Sequence, residues 1–251
     1  HMAPVALLVL GAFVLLAQRM WRADLQHRPE HAEALALMDE DAAITDRRML
    51  IASIVVLVGI VAGFLLQRQT GLTPAVVAML GAGVLILLSP IRVGELLAEV
   101  EWETLAFFMG LFIVVGALVR VGALEELAAR VADLTGAEVV PTLMVVLFGS
   151  AIASAIVDNI PFVTAMTPVV ASLIATNPAL GTDGALWWSL ALGADLGGNA
   201  TIVGASANVV IIGIAARHGI HISFRQWLRY GIPTAALSLA ISAPYLLLRY
   251  T

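Results

Sequence analysis

Seven apolar runs divide the chain, at residues 3–18, 49–66, 74–88, 104–119, 141–175, 185–216 and 231–248. Such runs predict membrane-crossing helices, each needing about 20 residues to cover about 30 Å at about 1.5 Å per residue. Several fall short of that length, and two do not stay apolar. SAIVDNIPF, at 154–162, sets an acid, an amide and a proline inside the fifth run. ALGADLGGNATIVGASANVV, at 191–210, sets an acid, amides, hydroxyls and glycines inside the sixth. Backbone facing lipid must satisfy its own hydrogen bonds, so non-helical chain at membrane depth survives only inside protein or against a watery cavity. Paired interruptions of this kind point to the substrate and ion site of a secondary transporter.

The arms on either side of Asp158-Asn159 are about 16 and 17 residues long, which favours a re-entrant hairpin over two full spans. Arginine placement supports the hairpin. With the polar stretch 21–48 inside, nine arginines fall inside and four outside, as the positive-inside rule requires. Reading the hairpin as one full span would put Arg217, Arg225 and Arg229 outside. Residues 19–48 are therefore expected to be a cytoplasmic linker with some helix, within EHAEALALMDEDA. Two amphipathic segments, 122–135 and 222–230, are expected to lie at the membrane interface. Trp102, Trp187, Trp188, Trp227 and Tyr230 sit near run ends, where interfacial anchors belong.

Composition agrees with this class. The chain is 61% hydrophobic and 12% charged, with mean hydropathy +0.98; a soluble domain carries about 25% charged residues. All thirteen basic residues are arginine, and the net charge of −5 sits in loops. The absence of cysteine excludes disulfides and thiolate metal sites. The first run has arginines after it and none before it, the reverse of a signal peptide. No phosphate loop, HExxH motif, nucleophile elbow or dinucleotide motif appears, so neither an enzyme nor a nucleic-acid partner is expected, and no cofactor beyond a coupling ion.

The two interruptions hold the candidate chemistry. At the first, Asn159 is expected to cap the second arm, with Pro161 in its first turn, where the missing N–H costs little. Ser154, Asp158, Asn159 and the exposed carbonyls supply the oxygens that a hard cation such as Na⁺ needs, with Asn159 and Asn199 as its expected ligands. An acid inside a membrane is expensive and functional by default; the plain alternative makes Asp158 a helix cap or the partner of an arginine. At the second, Gly197-Gly198-Asn199 is expected to halt the helix, followed by Thr201, Ser206 and Asn208. Asp195, one turn earlier, suits proton uptake and release, or else lines the pathway without titrating. Asp158 and Asp195 are the coupling candidates, to Na⁺ or H⁺. Asn159, Asn199, Thr201, Ser154, Ser206 and Asn208 are the binding candidates, and Pro161, Gly197 and Gly198 the backbone breaks.

On EVEWETLAFFMGLFIVVGALVRVGALEELA, SAIVDNIPFVTAMTPVV, LWWSLALGADLGGNATIVGASANVV and HISFRQWLRYGIP, the chain resembles an ion-transporter superfamily. Its members include arsenite efflux permeases, sodium–proton antiporters, citrate and dicarboxylate transporter-like proteins and the melanosomal P protein. The motif likeness is strongest to the P protein and antiporter branch, where the hairpin tip also reads Asp-Asn-Ile-Pro. The resemblance implies an all-α polytopic membrane protein with alternating access. It is to the C-terminal one of two inverted repeats, each with a re-entrant helical hairpin and a broken transmembrane helix.

It further implies a division into 1–18, the last helix of the preceding repeat; 19–48, the linker; 49–135, scaffold helices and an interfacial helix; and 136–251, the transport half. The partners implied are the lipid bilayer of the inner (plasma) membrane, a missing N-terminal repeat and a second copy in a homodimer. The expected function is cation/proton exchange. Arsenite or antimonite efflux is the alternative within the class, and a non-transporting half-subunit that scaffolds a partner is the alternative outside it. The dicarboxylate branch uses a Ser-Asn-Thr triplet at the tip. This chain has Val157-Asp158-Asn159-Ile160, and a carboxylate there disfavours an anionic substrate.

Overall fold

The computed structural model describes residues 2–22, 46–100 and 102–250. Most of the linker expected at 19–48, with its helix-favouring stretch, lies outside the described residues. All regular structure among the described residues is helical, as a polytopic α-helical membrane protein requires. Among the described residues, four helices are long and apolar enough to span a bilayer: α1 (Ala3–Met20), α2 (Arg47–Leu65), α9 (Asn159–Thr176) and α12 (Phe224–Tyr250). The protein is thus a multi-pass membrane protein.

The chain forms two units. In the first, residues 27–104, α2 packs on α4 (Pro74–Leu88); the short helices α3 (Gln67–Thr70) and α5 (Val93–Ala98) complete it. Asp46 and Thr73 cap α2 and α4 by accepting from the backbone N–H of Met49 and Val76.

The second unit, residues 1–26 and 105–251, contains both interruptions. Here α6 (Trp102–Arg120) turns by 66° into α7 (Ala123–Thr135). The turn falls at Gly122, whose φ of 75° is left-handed backbone that glycine adopts without strain. The amphipathy read in 122–135 is put to use, since Leu124 and Ala128 are buried while Glu126 and Arg130 pair on the exposed side. Next come α8 (Val139–Ser154) and α9, the two arms joined by four residues. A 3-10 turn (Pro178–Gly184) leads to α10 (Ala185–Gly198), and α11 (Ser206–Arg217) follows after a seven-residue break. The core of this unit lies between the arms and α10, around Leu143, Val146, Val169, Val170, Leu173, Leu186 and Leu190.

Residues 224–250 form one unbroken helix, although the apolar pattern separates an interfacial segment, 222–230, from a final run, 231–248. Pro233 and Pro244 lie inside it. The hydroxyls of Thr234, Ser238 and Ser242 each donate to the carbonyl one turn back, the local side-chain bonding that polar residues use in apolar helices.

Helices α8 and α10 meet almost backbone to backbone. A methyl group on Gly193 would overlap the carbonyl oxygen of Leu147 and lie 2.9 Å from Ser150 Cβ. One on Gly197 would overlap the carbonyl and Cα of Ala151. Small residues four apart are what permit such an approach between membrane helices.

Candidate functional site

The close contact of α8 and α10 delivers the two interruptions to one place. Helix α8 ends at Ser154, and its fully buried hydroxyl donates to the Ala194 carbonyl of α10 at 2.7 Å. The chain turns through 155–158, and α9 starts at Asn159. The cap of α9 is Asp158 rather than Asn159: Asp158 is outside the helical region at φ −47°, ψ 138°, and its Oδ1 accepts from the Ile160 N–H at 3.1 Å. Asp and Asn are equally good caps, so sequence alone does not choose between neighbours. Pro161 falls in the first turn, where backbone N–H groups have no helical partner, and it is buried.

The second break behaves as its glycines suggest. Helix α10 stops at Gly198, and Asn199 is its C-cap. The backbone loops through 199–205, bringing Gly204 back against Gly198; a methyl on Gly204 would lie 2.6 Å from the Gly198 carbonyl and 2.9 Å from that of Ser154. Thr201 fixes the loop at both ends. Its hydroxyl donates to the Ala155 carbonyl of the hairpin and accepts from the Gly204 N–H at 3.0 Å. Asn208, buried on the first turn of α11, donates through Nδ2 to the Gly198 and Thr201 carbonyls at 3.0 and 2.9 Å.

The sequence candidates thus sort into two groups. Thr201 and Asn208 donate to backbone carbonyls at the breaks and knit the loops together, while Ser154 ties the end of α8 to the Ala194 carbonyl within α10. Asp158, Asn159, Asp195 and Ser206 instead pair side chain to side chain across the gap. The Ser206 hydroxyl donates to Asp158 Oδ2, and Asn159 Nδ2 donates to Asp195 Oδ1 at 3.3 Å. Each acid therefore links the hairpin tip to one half of the broken helix, Asp158 to α11 and Asp195 to α10. No arginine partners Asp158 among the described residues. The arrangement concentrates two carboxylates, two amides, three hydroxyls and unwound carbonyls in one place, a donor set suited to a hard monovalent cation or to proton exchange.

Two contributors are not legible as site residues. Trp227, which the sequence places among the interfacial anchors, donates its indole N–H to the Asn199 carbonyl at 3.3 Å. Gly231 lets α12 reach the break, since a methyl there would lie 2.6 Å from the carbonyls of both Asn199 and Ala200. Neither residue interrupts an apolar run, so run-reading gives no signal for them.

Replacing Asn208 with Ala leaves one buried and one half-buried carbonyl without their donor. The expected cost is roughly 2 kcal/mol, taking about 1 kcal/mol for each lost bond. Thermal unfolding of the detergent-solubilised chain checks it; no loss of stability would mean that Asn208 does not hold the break.

Multiple apolar spans around paired, facing interruptions define the class as a multi-pass membrane protein. Over residues 1–193 the chain matches the family model described as the CitMHS citrate transporter, and it belongs to that family. It is 45% identical to an uncharacterized transporter of Mycobacterium tuberculosis over 250 residues, covering all of this chain and 58% of that protein. It is 32% identical to an uncharacterized transporter of Synechocystis over 262 residues, covering 96% of this chain and 56% of the relative. Against the P protein of Sus scrofa it is 41% identical over 183 residues, 69% of this chain and 21% of the relative. The chain therefore spans a little over half the length of these bacterial relatives.

Proposed function

We propose that this chain is the C-terminal repeat of a secondary active transporter that exchanges a monovalent cation for protons by alternating access. The observation that carries the proposal is the pair of cross-links, Asp158 to Ser206 and Asn159 to Asp195, that join the hairpin tip to the broken helix. A cation entering the gap replaces these neutral partners with its own charge, and protonation of either acid releases it. Asp158 and Asp195 are the coupling groups. Asn159, Asn199 and Thr201 coordinate the ion, Na⁺ fitting Asn159 and Asn199, while Ser154, Ser206 and Asn208 hold the walls.

The remaining parts of the reading follow the likeness to longer transporters. An N-terminal repeat supplies the other half of the site, whether in the same polypeptide, in a split chain or in a second copy. Residues 19–48 lie in the cytoplasm, the bilayer is the inner membrane, and the assembly is a homodimer.

A second reading, carboxylate transport, is favoured by the description of the matching family. Two acids at the gap weigh against it, because an anion there needs counter-charge. Arsenite, neutral as the trihydroxide, fits the same hydroxyls and amides and is the rival within the class. A transport screen of the reconstituted protein against Na⁺, Li⁺, arsenite and citrate, with and without an N-terminal repeat, separates the three. Proton flux driven by Na⁺ or Li⁺ is the expected result, and citrate or arsenite uptake without it would overturn cation exchange. The scaffold alternative predicts no flux at all, and loss of partner association when residues 104–119 are altered.

A further inference from the structure

Beside Asp195 lies a cavity of about 760 Å³, walled mainly by α1, α10 and α12, with Asn199 and Asn208 of the second break at its edge. It shares Asp195, Asn199 and Asn208 with the ion gap, but the rest of its wall is apolar or aromatic or carries uncharged polar groups. Helix α1 contributes an apolar stripe, Val5, Val9 and Phe13, at helical spacing. Helix α12 contributes Gln226, Tyr230, Thr234 and Ser238, spaced four apart along one face, with Trp227 beside them. The rings of Trp21 and Tyr230 stack with centroids 5.0 Å apart. Asp195 is the single charged residue of the lining, which holds no arginine or histidine. Its Oδ1 accepts from Asn159, so the carboxylate stands between the gap and the cavity.

A volume of this size matches the roughly 300–1,000 Å³ of pockets that enclose drug-sized molecules. One carboxylate among tryptophan and tyrosine rings favours a cation, because ring faces attract positive charge in addition to the ion pair. The apolar stripe of α1 asks for an equally apolar body. An anion finds no counter-charge here, and a bare metal ion finds most of the wall apolar. We propose that this cavity binds amphipathic organic monocations, with the ammonium group at Asp195 and the apolar body against α1 and the rings of α12. The proposal stands without the transport reading. It makes Asp195 a group for which such a cation competes with the coupling ion.

The test uses the purified chain in detergent and three probes sharing one naphthalene body: 2-(1-naphthyl)ethylammonium, its neutral N-acetyl amide and 1-naphthylacetate. Binding is read by calorimetry after subtraction of empty micelles. The ammonium probe should bind at least ~10-fold more tightly than the amide, the ratio that a cation contact of ~1–2 kcal/mol gives, and the acetate should bind most weakly. Asp195→Asn should abolish the preference for charge and leave the amide unchanged. Val9→Trp, which keeps the carboxylate and fills the cavity, should weaken the ammonium and the amide together. Equal binding of ammonium and acetate, no binding of the ammonium probe, or equal weakening of every probe by Asp195→Asn would overturn the proposal. Because no transport is measured, failure of ion exchange leaves this result untouched, and failure here leaves ion exchange untouched.

Discussion

Asp158→Asn is expected to reduce ion-driven proton flux in reconstituted vesicles to background while the protein still folds. The two oxygens of Asp158 have separate partners. Oδ1 caps α9 at Ile160, and Oδ2 accepts from Ser206. Asparagine caps a helix as well as aspartate does, so Oδ1 can be replaced at little cost. The new amide donates where Oδ2 accepted, and the Ser206 hydroxyl can turn to accept instead. What the substitution removes is the charge, and with it both the site for a proton and the attraction for a cation. Asp158→Ala removes the cap as well, and it should lower stability by about 1 kcal/mol in addition to silencing flux. Flux in Asp158→Asn vesicles equal to wild type would end the coupling role of this residue. Loss of fold in that variant would make Asp158 structural.

The largest effect on stability is expected at Gly197. A methyl group there overlaps the carbonyl and Cα of Ala151, atoms of backbone that cannot rotate aside as a side chain can. Gly197→Ala must therefore push α8 from α10 or distort one of them, at a cost of ~3 kcal/mol or more, the upper part of the range for overpacking. The Ser154–Ala194 hydrogen bond and the Thr201 anchor depend on the same spacing, so flux should fall too. Gly213→Ala is the control. It sits inside α11 with nothing within 4 Å of the new methyl, and removing a helix-interior glycine should stabilise by up to about 1 kcal/mol. Unfolding temperatures of the two variants in one detergent decide the matter. If both substitutions are tolerated alike, the close approach of α8 and α10 does not occur.

The features legible in the sequence are those that violate a local rule. Asp158-Asn159 and Gly197-Gly198-Asn199 are visible because lipid-depth helices exclude such residues, and a helix boundary falls within each, α9 starting at Asn159 and α10 ending at Gly198. Residue-level roles are less legible. A cap can fall on either of two adjacent residues of equal propensity, and it falls on Asp158 rather than Asn159. The unbroken course of α12 is hidden because a stretch such as 222–230 is also what an interfacial helix looks like. The cavity escapes sequence reading altogether. Val9, Asp195 and Tyr230 are distant along the chain, and only the packing of α1 and α10 on α12 brings them together. Trp227 looks like any tryptophan at a run end until its indole is seen on Asn199.

Where helices touch through glycines and carbonyls, and a buried serine ties them together, there is no slack in which they can slide past one another. The first hairpin arm and the first half of the broken helix must accordingly travel as one rigid block in any conformational cycle. Displacement has to be absorbed where the chain is already unwound, at 155–158 and 199–205. A crosslink joining α8 to α10 should be harmless to turnover, whereas one that bridges those two loops should arrest it.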